Sequence, residues 1–307
     1  MVNNKPILLV VGLIVAAACG WQLIRHQPSI NRADSMGSTK DSGQERLPSR
    51  GSAQRETSGR EIVGSSSRSE FESTPDLFRF ASELAARAST NDPEALWLIR
   101  RAREYCAAFS SDPNKYVSDT TVLASLANAA ASQSVKVARE RTAARCAGFS
   151  NQAYGIADDI NALQQAAKVG SVSAEAALLT MGRPIDKSPE YKTDLVRRVL
   201  ESHDPESYLA LSESMRTTTG SNAVQSSFSG DQNAVLAWQL AACNQGLDCR
   251  ATGSLMTSYC ANGGICGNYR NFQDLVFNGI VARSDLPRIE FYLKQIQQIG
   301  DSNGTNL

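Results

Sequence analysis

The sequence is poor in the residues from which most active sites are built. It holds two histidines in 307 residues, His26 and His203. A Ser-His-Asp triad would have to use His203, which precedes Asp204-Pro205 at an expected helix start, and no expected strand leads into a nucleophile elbow: the G-x-S-x-G spacing at Gly300-Asp301-Ser302-Asn303-Gly304 falls at the end of the last expected helix and in the tail. H-E-x-x-H, S-x-x-K, the phosphate-cradling P-loop and G-x-G-x-x-G are all missing. So is C-x-x-C, which argues against dithiol redox catalysis. No sign of charge prevails: Lys and Arg number 31, as do Asp and Glu. That balance offers no electrostatic basis for binding nucleic acid or an anionic lipid surface. Aromatics are only 7% of the chain, and no segment alternates apolar and polar residues as a strand would. Ala, Leu and Ser are plentiful instead, which favours helices packed through small residues over a β-sandwich.

What is present is an informative set of cysteines. Of seven, Cys19 lies in an apolar N-terminal run. The other six, Cys106, Cys146, Cys243, Cys249, Cys260 and Cys266, lie in the helix-patterned part. An even set of this kind points to a disulfide-stabilised domain folded in an oxidising compartment. Cys243 and Cys260 are each expected near a helix end, with Cys249 and Cys266 in the loops that follow. Each pair is therefore placed to staple a helix to its own exit, leaving Cys106 and Cys146 to bridge two helices. The rival is a zinc site made of Cys243, Cys249, Cys260 and Cys266. Its paired ligands would be spaced more widely than the roughly two to four intervening residues usual for structural zinc. No cofactor or metal is expected.

Residues 1–5 form a short tail. Pro6 to Ile24 then reads PILLVVGLIVAAACGWQLI without a charge. That approaches the roughly twenty residues needed to cross a bilayer as a helix. Lys5 and Arg25 flank it, and Trp21 suits the membrane interface. Three readings stand: a retained signal anchor, a lipoprotein signal acylated at Cys19 in Ala16-Ala17-Ala18-Cys19-Gly20, and a cleaved secretory signal. From residue 25 to 73 the chain is rich in Ser, Gly, Arg and Glu, with isolated apolar residues. Such a stretch reads as a disordered tether with a root-mean-square span of about 40 Å.

Residues 74–299 read as an α-helical domain and 300–307 as a disordered tail. Ser73-Thr74-Pro75-Asp76, Asn91-Asp92-Pro93-Glu94, Ser188-Pro189-Glu190 and His203-Asp204-Pro205-Glu206 each place a capping residue, a proline and an acid in order. Ser284-Asp285-Leu286-Pro287 is a looser version. Apolar faces follow: Leu96, Leu98, Ile99 and Ala102; Leu195, Val196, Val199 and Leu200; and Phe291, Leu293 and Ile296 in the last helix. The pattern predicts roughly ten to twelve helices of about 10–16 residues.

Parts of the domain repeat. Arg101 to Ser110 echoes Arg141 to Ser150, sharing Cys-Ala-(Ala/Gly)-Phe-Ser. Ala166-Ala167-Lys168-Val169-Gly170-Ser171-Val172-Ser173-Ala174, with Leu178 beyond, resembles the Sel1-like repeat, a helix-turn-helix relative of the tetratricopeptide repeat. Trp238, Ala242 and Gly246 match a partial copy, and Trp97 and Ala102 a fainter one. The resemblance implies helical hairpins in a repeat-like or irregular right-handed array. It also implies a protein-binding scaffold of a bacterial envelope, with envelope proteins as partners and no catalysis. The combined expectation is a single-pass inner-membrane protein whose C-terminal domain lies in the periplasm.

Two other readings are kept. A lysozyme-like cell-wall enzyme would use one Glu as general acid, with Glu201-Ser202, Glu206-Ser207 and Glu213-Ser214 as candidates. It would need that carboxyl buried in a polar cleft, where Trp97 and Trp238 could line a groove. A purely structural spacer would need only reach.

Overall fold

A computed structural model describes residues 59–301 except 128, 151–154, 221–222 and 225. The apolar run at 6–24, Cys19, His26 and most of the tether lie outside the described residues, as does the tail beyond Asp301. The description below concerns the unit that begins at Ile62.

Among the described residues there are thirteen α-helices and no strand. They are α1 (Gly59–Ser73), α2 (Leu77–Ser89), α3 (Pro93–Ser111), α4 (Pro113–Leu126), α5 (Ala129–Cys146), α6 (Ile156–Lys168) and α7 (Val172–Thr180). There follow α8 (Pro189–Ser202), α9 (Pro205–Ser212), α10 (Gln232–Asn244), α11 (Ser254–Ala261), α12 (Phe272–Leu275) and α13 (Leu286–Asp301). Short 3-10 turns extend α5 over Ala147–Phe149 and α9 over Glu213–Arg216.

The caps explain where several of these helices begin. Asp92, Ser188 and Asp204 accept the first backbone amides of α3, α8 and α9, each just before a proline at the first helical position. Asp112 does the same for α4, in an Asp-Pro step that the sequence reading overlooked. At Thr74-Pro75-Asp76 the order differs from the expected one. Thr74 accepts the Asp76 amide, and Asp76 itself caps α2 by accepting from Phe78 N and Arg79 N, both at 3.0 Å. The helix therefore starts two residues later than Thr74-Pro75 implies.

The helical domain also reaches further back than the Thr74 boundary. α1 occupies the last fifteen residues of the expected tether. Its one large aromatic, Phe71, is buried against Phe80 and Tyr105. Arg145 donates to the backbone oxygens of Phe71 and Thr74, satisfying carbonyls at the end of α1. Composition missed this because tertiary contacts, and not local periodicity, hold the helix: the buried Phe71, the Arg145 bonds and the ion pairs of Arg68 with Glu94 and Asp204.

Two large hydrophobic cores form, beside a small cluster of Val135, Ala138, Cys260 and Ala261 between α5 and α11. The first gathers Phe71, Leu77, Phe80, Leu98, Phe149, Leu163 and the Cys106–Cys146 pair from α1 to α7. The second gathers Leu195, Val199, Tyr208, Phe228, Trp238, Phe272, Ile289 and Ile296 from α7 onward. α7 belongs to both: Ala174, Ala177 and Leu178 face the first, and Ala176 and Leu179 the second. Every residue from Ser173 to Leu179 is buried, as expected for a helix that is sandwiched on all sides. The small residues read as helix contacts, Ala166, Ala167 and Ala174, lie in the α6–α7 hairpin. Gly170, at φ +96°, makes its turn. In α13 the buried stripe is Ile289, Tyr292 and Ile296, with Phe291 half exposed, so the expected face is rotated by about one residue.

Three disulfides close the structure: Cys106–Cys146, Cys243–Cys249 and Cys260–Cys266. The long bridge joins α3 to the end of α5, and each short one ties a helix end to its exit loop. These bonds place the domain's folding in an oxidising environment. Among the described residues no helix is long and apolar enough to cross a membrane.

Candidate functional site

The two cores meet at a polar seam. Trp97 and Arg101 project from α3 toward α9, where Glu206 Oε2 accepts from Trp97 Nε1 at 3.2 Å and from Arg101 Nε at 3.1 Å. All three residues are buried. Beside them, Glu72 of α1 accepts from Ser254 N at 2.8 Å and Ser254 Oγ at 2.6 Å. α11 starts after Gly253, which has no side chain to cap it, so a carboxylate from 182 residues upstream supplies the cap. Burial pushes the Glu72 carboxyl above its ordinary range, and the two Ser254 hydrogen bonds pull it back only in part.

Over this seam lies a cleft of about 350 Å³. Its walls come from α3, α7, α9, α10 and α11, so both halves of the domain contribute. Arg100, Arg101 and Glu104 form a charged strip along α3, with Ala177, Met181, Leu209 and Leu255 as the apolar side. Gln239 and Ser258 add polar groups from the second half. Gln239 Oε1 accepts from Tyr259 Oη at 2.6 Å, which fixes the amide. Binding sites occur preferentially at such junctions of packed units, where apolar walls carry a few oriented polar groups.

The electrostatics of the strip are ordered by depth. Arg100 and Arg101 are only 7% and 8% exposed. Glu104, half exposed, sits at the rim and receives Arg100 Nη1 at 2.6 Å. The same oxygen lies 3.7 Å from Arg101 Nη1. Arg100 stacks on the Trp97 ring at 5.7 Å, which holds its guanidinium plane.

The residues singled out in the sequence fall as follows. Trp238 is a core side chain at 0% exposure, whereas Trp97, though buried at 4% exposure, also lines the cleft. His203 is exposed and closes α8 at φ +48°. Glu201 and Glu213 are surface acids paired with Arg197 and Arg216, though Glu213 also edges the cleft. Glu206 is buried, but its Oε2 is held by two donors from the first core, the arrangement of a structural acceptor. The four C-terminal cysteines stand as two bridges and do not gather as a zinc site. Among the described residues no group of three or more His, Cys, Asp or Glu is placed to hold a metal.

Arg100, Arg101 and Glu104 went unrecognised as site residues. A signal for them existed. Leu98, Arg101 and Tyr105 share one helical face, and an arginine inside a buried stripe requires a partner. Comparison with known proteins finds no matching family model, no similar curated protein and no similar solved structure.

Proposed function

We propose that this chain is a membrane-tethered, extracytoplasmic helical scaffold that binds a polypeptide partner in the cleft between its two cores. The observation that carries this reading is the junction cleft itself, lined from five helices and both halves of the domain. The three disulfides support a location outside the cytoplasm, and the apolar run at 6–24 supports attachment to a bacterial inner membrane, as anchor or through Cys19. The resemblance of the α6–α7 hairpin to Sel1-like repeats supports a protein-binding role in a repeat-like, right-handed array, with an envelope protein as partner. The balanced formal charge gives no basis for a nucleic-acid ligand.

The test is to fill the cleft without touching either core. Ser258 lines it and is partly exposed. Ser258→Trp should abolish recovery of the partner with the full chain from native membranes while leaving the thermal midpoint within a few degrees. Val122→Glu, on the outer face of α4, should leave recovery intact. The reverse pattern would remove the cleft from the function. A damaging effect of shortening the tether alone, with both variants silent, would favour the spacer.

A further inference from the structure

The charged strip of the cleft has an unusual division of strength. The two arginines are buried, whereas the acid that neutralises them at the rim is the exposed member. Arg101 has a second, buried partner in Glu206 and does not depend on Glu104. Arg100 makes no second hydrogen-bonded ion pair, although the Asp159 carboxyl of α6 acts on it through space. Its Nη1 bonds Glu104, and its Nε is buried with no hydrogen-bond partner. A buried guanidinium donor left unmade is costly, so Arg100 stands to gain from a further acceptor. Glu104 does not supply that acceptor. It meets both arginines through one oxygen, Oε2.

We propose that Glu104 is an internal occupant of a carboxylate site, and that an acidic side chain of the partner polypeptide displaces it from Arg100 and Arg101. This rests on the reading of the cleft as a polypeptide-binding site. The exchange conserves charge. Replacing one carboxylate by another leaves the charge beside Arg100 and Arg101 unchanged, with Glu206, Glu72 and Asp159 in place throughout. The buried cations are therefore never left uncompensated. Glu104 is the more loosely held acid, because its carboxylate is half exposed and water competes for it, whereas Glu206 is buried. An incoming carboxylate brings two acceptor oxygens, enough to pair with the guanidinium in the forked manner arginine favours. Ala177, Met181, Leu209 and Leu255 provide the apolar wall along which its stem would lie.

The experiment is a titration of the oxidised full chain in detergent, followed through the arginine Nε–H resonances. The probes are acetyl-Leu-Glu-Leu-amide, its Gln counterpart and acetate. The Glu peptide should shift the Arg100 resonance with millimolar affinity, and neither the Gln peptide nor acetate should do so comparably. Glu104→Gln removes the competitor and should tighten the Glu peptide roughly three- to tenfold. Raising salt should weaken it. Arg100→Gln should abolish it, with far-UV dichroism checking the fold. Unchanged or weaker binding by Glu104→Gln overturns the exchange, and so does equal response to the Gln peptide. Equal affinity for acetate overturns a polypeptide source. If Ser258→Trp blocks the partner while Glu104→Gln changes nothing, the cleft reading stands and the exchange falls.

Discussion

At the scale of residues, the seam between the cores depends on charge pairs that are costly to break singly. Glu206 and Arg101 are both buried, so removing the acid strands a guanidinium away from water. Glu206→Ala should cost about 3–5 kcal/mol in denaturant unfolding, and Arg101→Met with Glu206→Leu should recover most of it. A wall-hydrolase reading would require loss of activity on Glu206→Gln with the fold intact. Glu72 gives a pH dependence of known sign. Burial raises its carboxyl above the ordinary 4.5, so the folded state keeps the proton to higher pH than the unfolded state. Stability is therefore lost as pH rises from about 4.5 through the raised value, and the loss is complete above it. Glu72→Gln should remove that slope, so its unfolding curves gain on wild type as pH rises above about 4.5; parallel curves would show that Glu72 does not keep its proton in the folded state. These residues were scarcely legible in the sequence. Arg101 inside the Leu98–Tyr105 stripe was a visible anomaly, but its partner lies 105 residues away, beyond the reach of periodicity.

At the scale of elements, local chemistry was much more legible. Asp-Pro and Ser-Pro caps mark the starts of α3, α8 and α9, because a proline needs no donor where the first turn has none to use. What could not be read was the docking of weakly patterned helices. α1 looks like linker until Phe71 is buried, and α4 buries only Tyr116 and Thr120 while Val117, Val122 and Leu126 are 58%, 57% and 73% exposed. The α4–α5 hairpin is held by one buried guanidinium: Arg139 donates to Tyr116 O, Thr120 Oγ1 and Ala261 O, and stacks on the Tyr116 ring at 3.7 Å. The Cys-Ala-(Ala/Gly)-Phe-Ser core shared by the two copies also acquires a reason for its one mismatch. Ala108 is exposed in the first copy, but in the second a Cβ on Gly148 would lie 2.5 Å from Phe78 Cβ. Gly148→Ala should therefore cost about 1–3 kcal/mol, measured by urea unfolding, whereas Ala108→Gly should cost about 1 or less. The bridge between the copies is worth more. In the chain-entropy model, Cys106→Ala with Cys146→Ala should lose about 4 kcal/mol, and removing either short bridge about 2.5.

At the scale of the molecule, the two cores share α7 and are locked to one another through Trp97, Arg101 and Glu206, with a cleft across the seam. Such a junction keeps wall residues from distant parts of the chain in fixed register, which suits recognition of an extended partner. The sequence outside the described residues adds an apolar run and much of a polar tether, which would give the domain reach from a surface. Placement of the domain outside the cytoplasm, and with it the choice of envelope partner, depends on the three bridges. They are most directly tested by intact mass of the full chain taken from native membranes, with thiols alkylated before and after reduction and the bridged peptides mapped. The account predicts that Cys106, Cys146, Cys243, Cys249, Cys260 and Cys266 resist alkylation until reduction, with pairs 106–146, 243–249 and 260–266. Six thiols free before reduction would contradict it, reverse the topology and return the C-terminal cysteines to consideration as metal ligands.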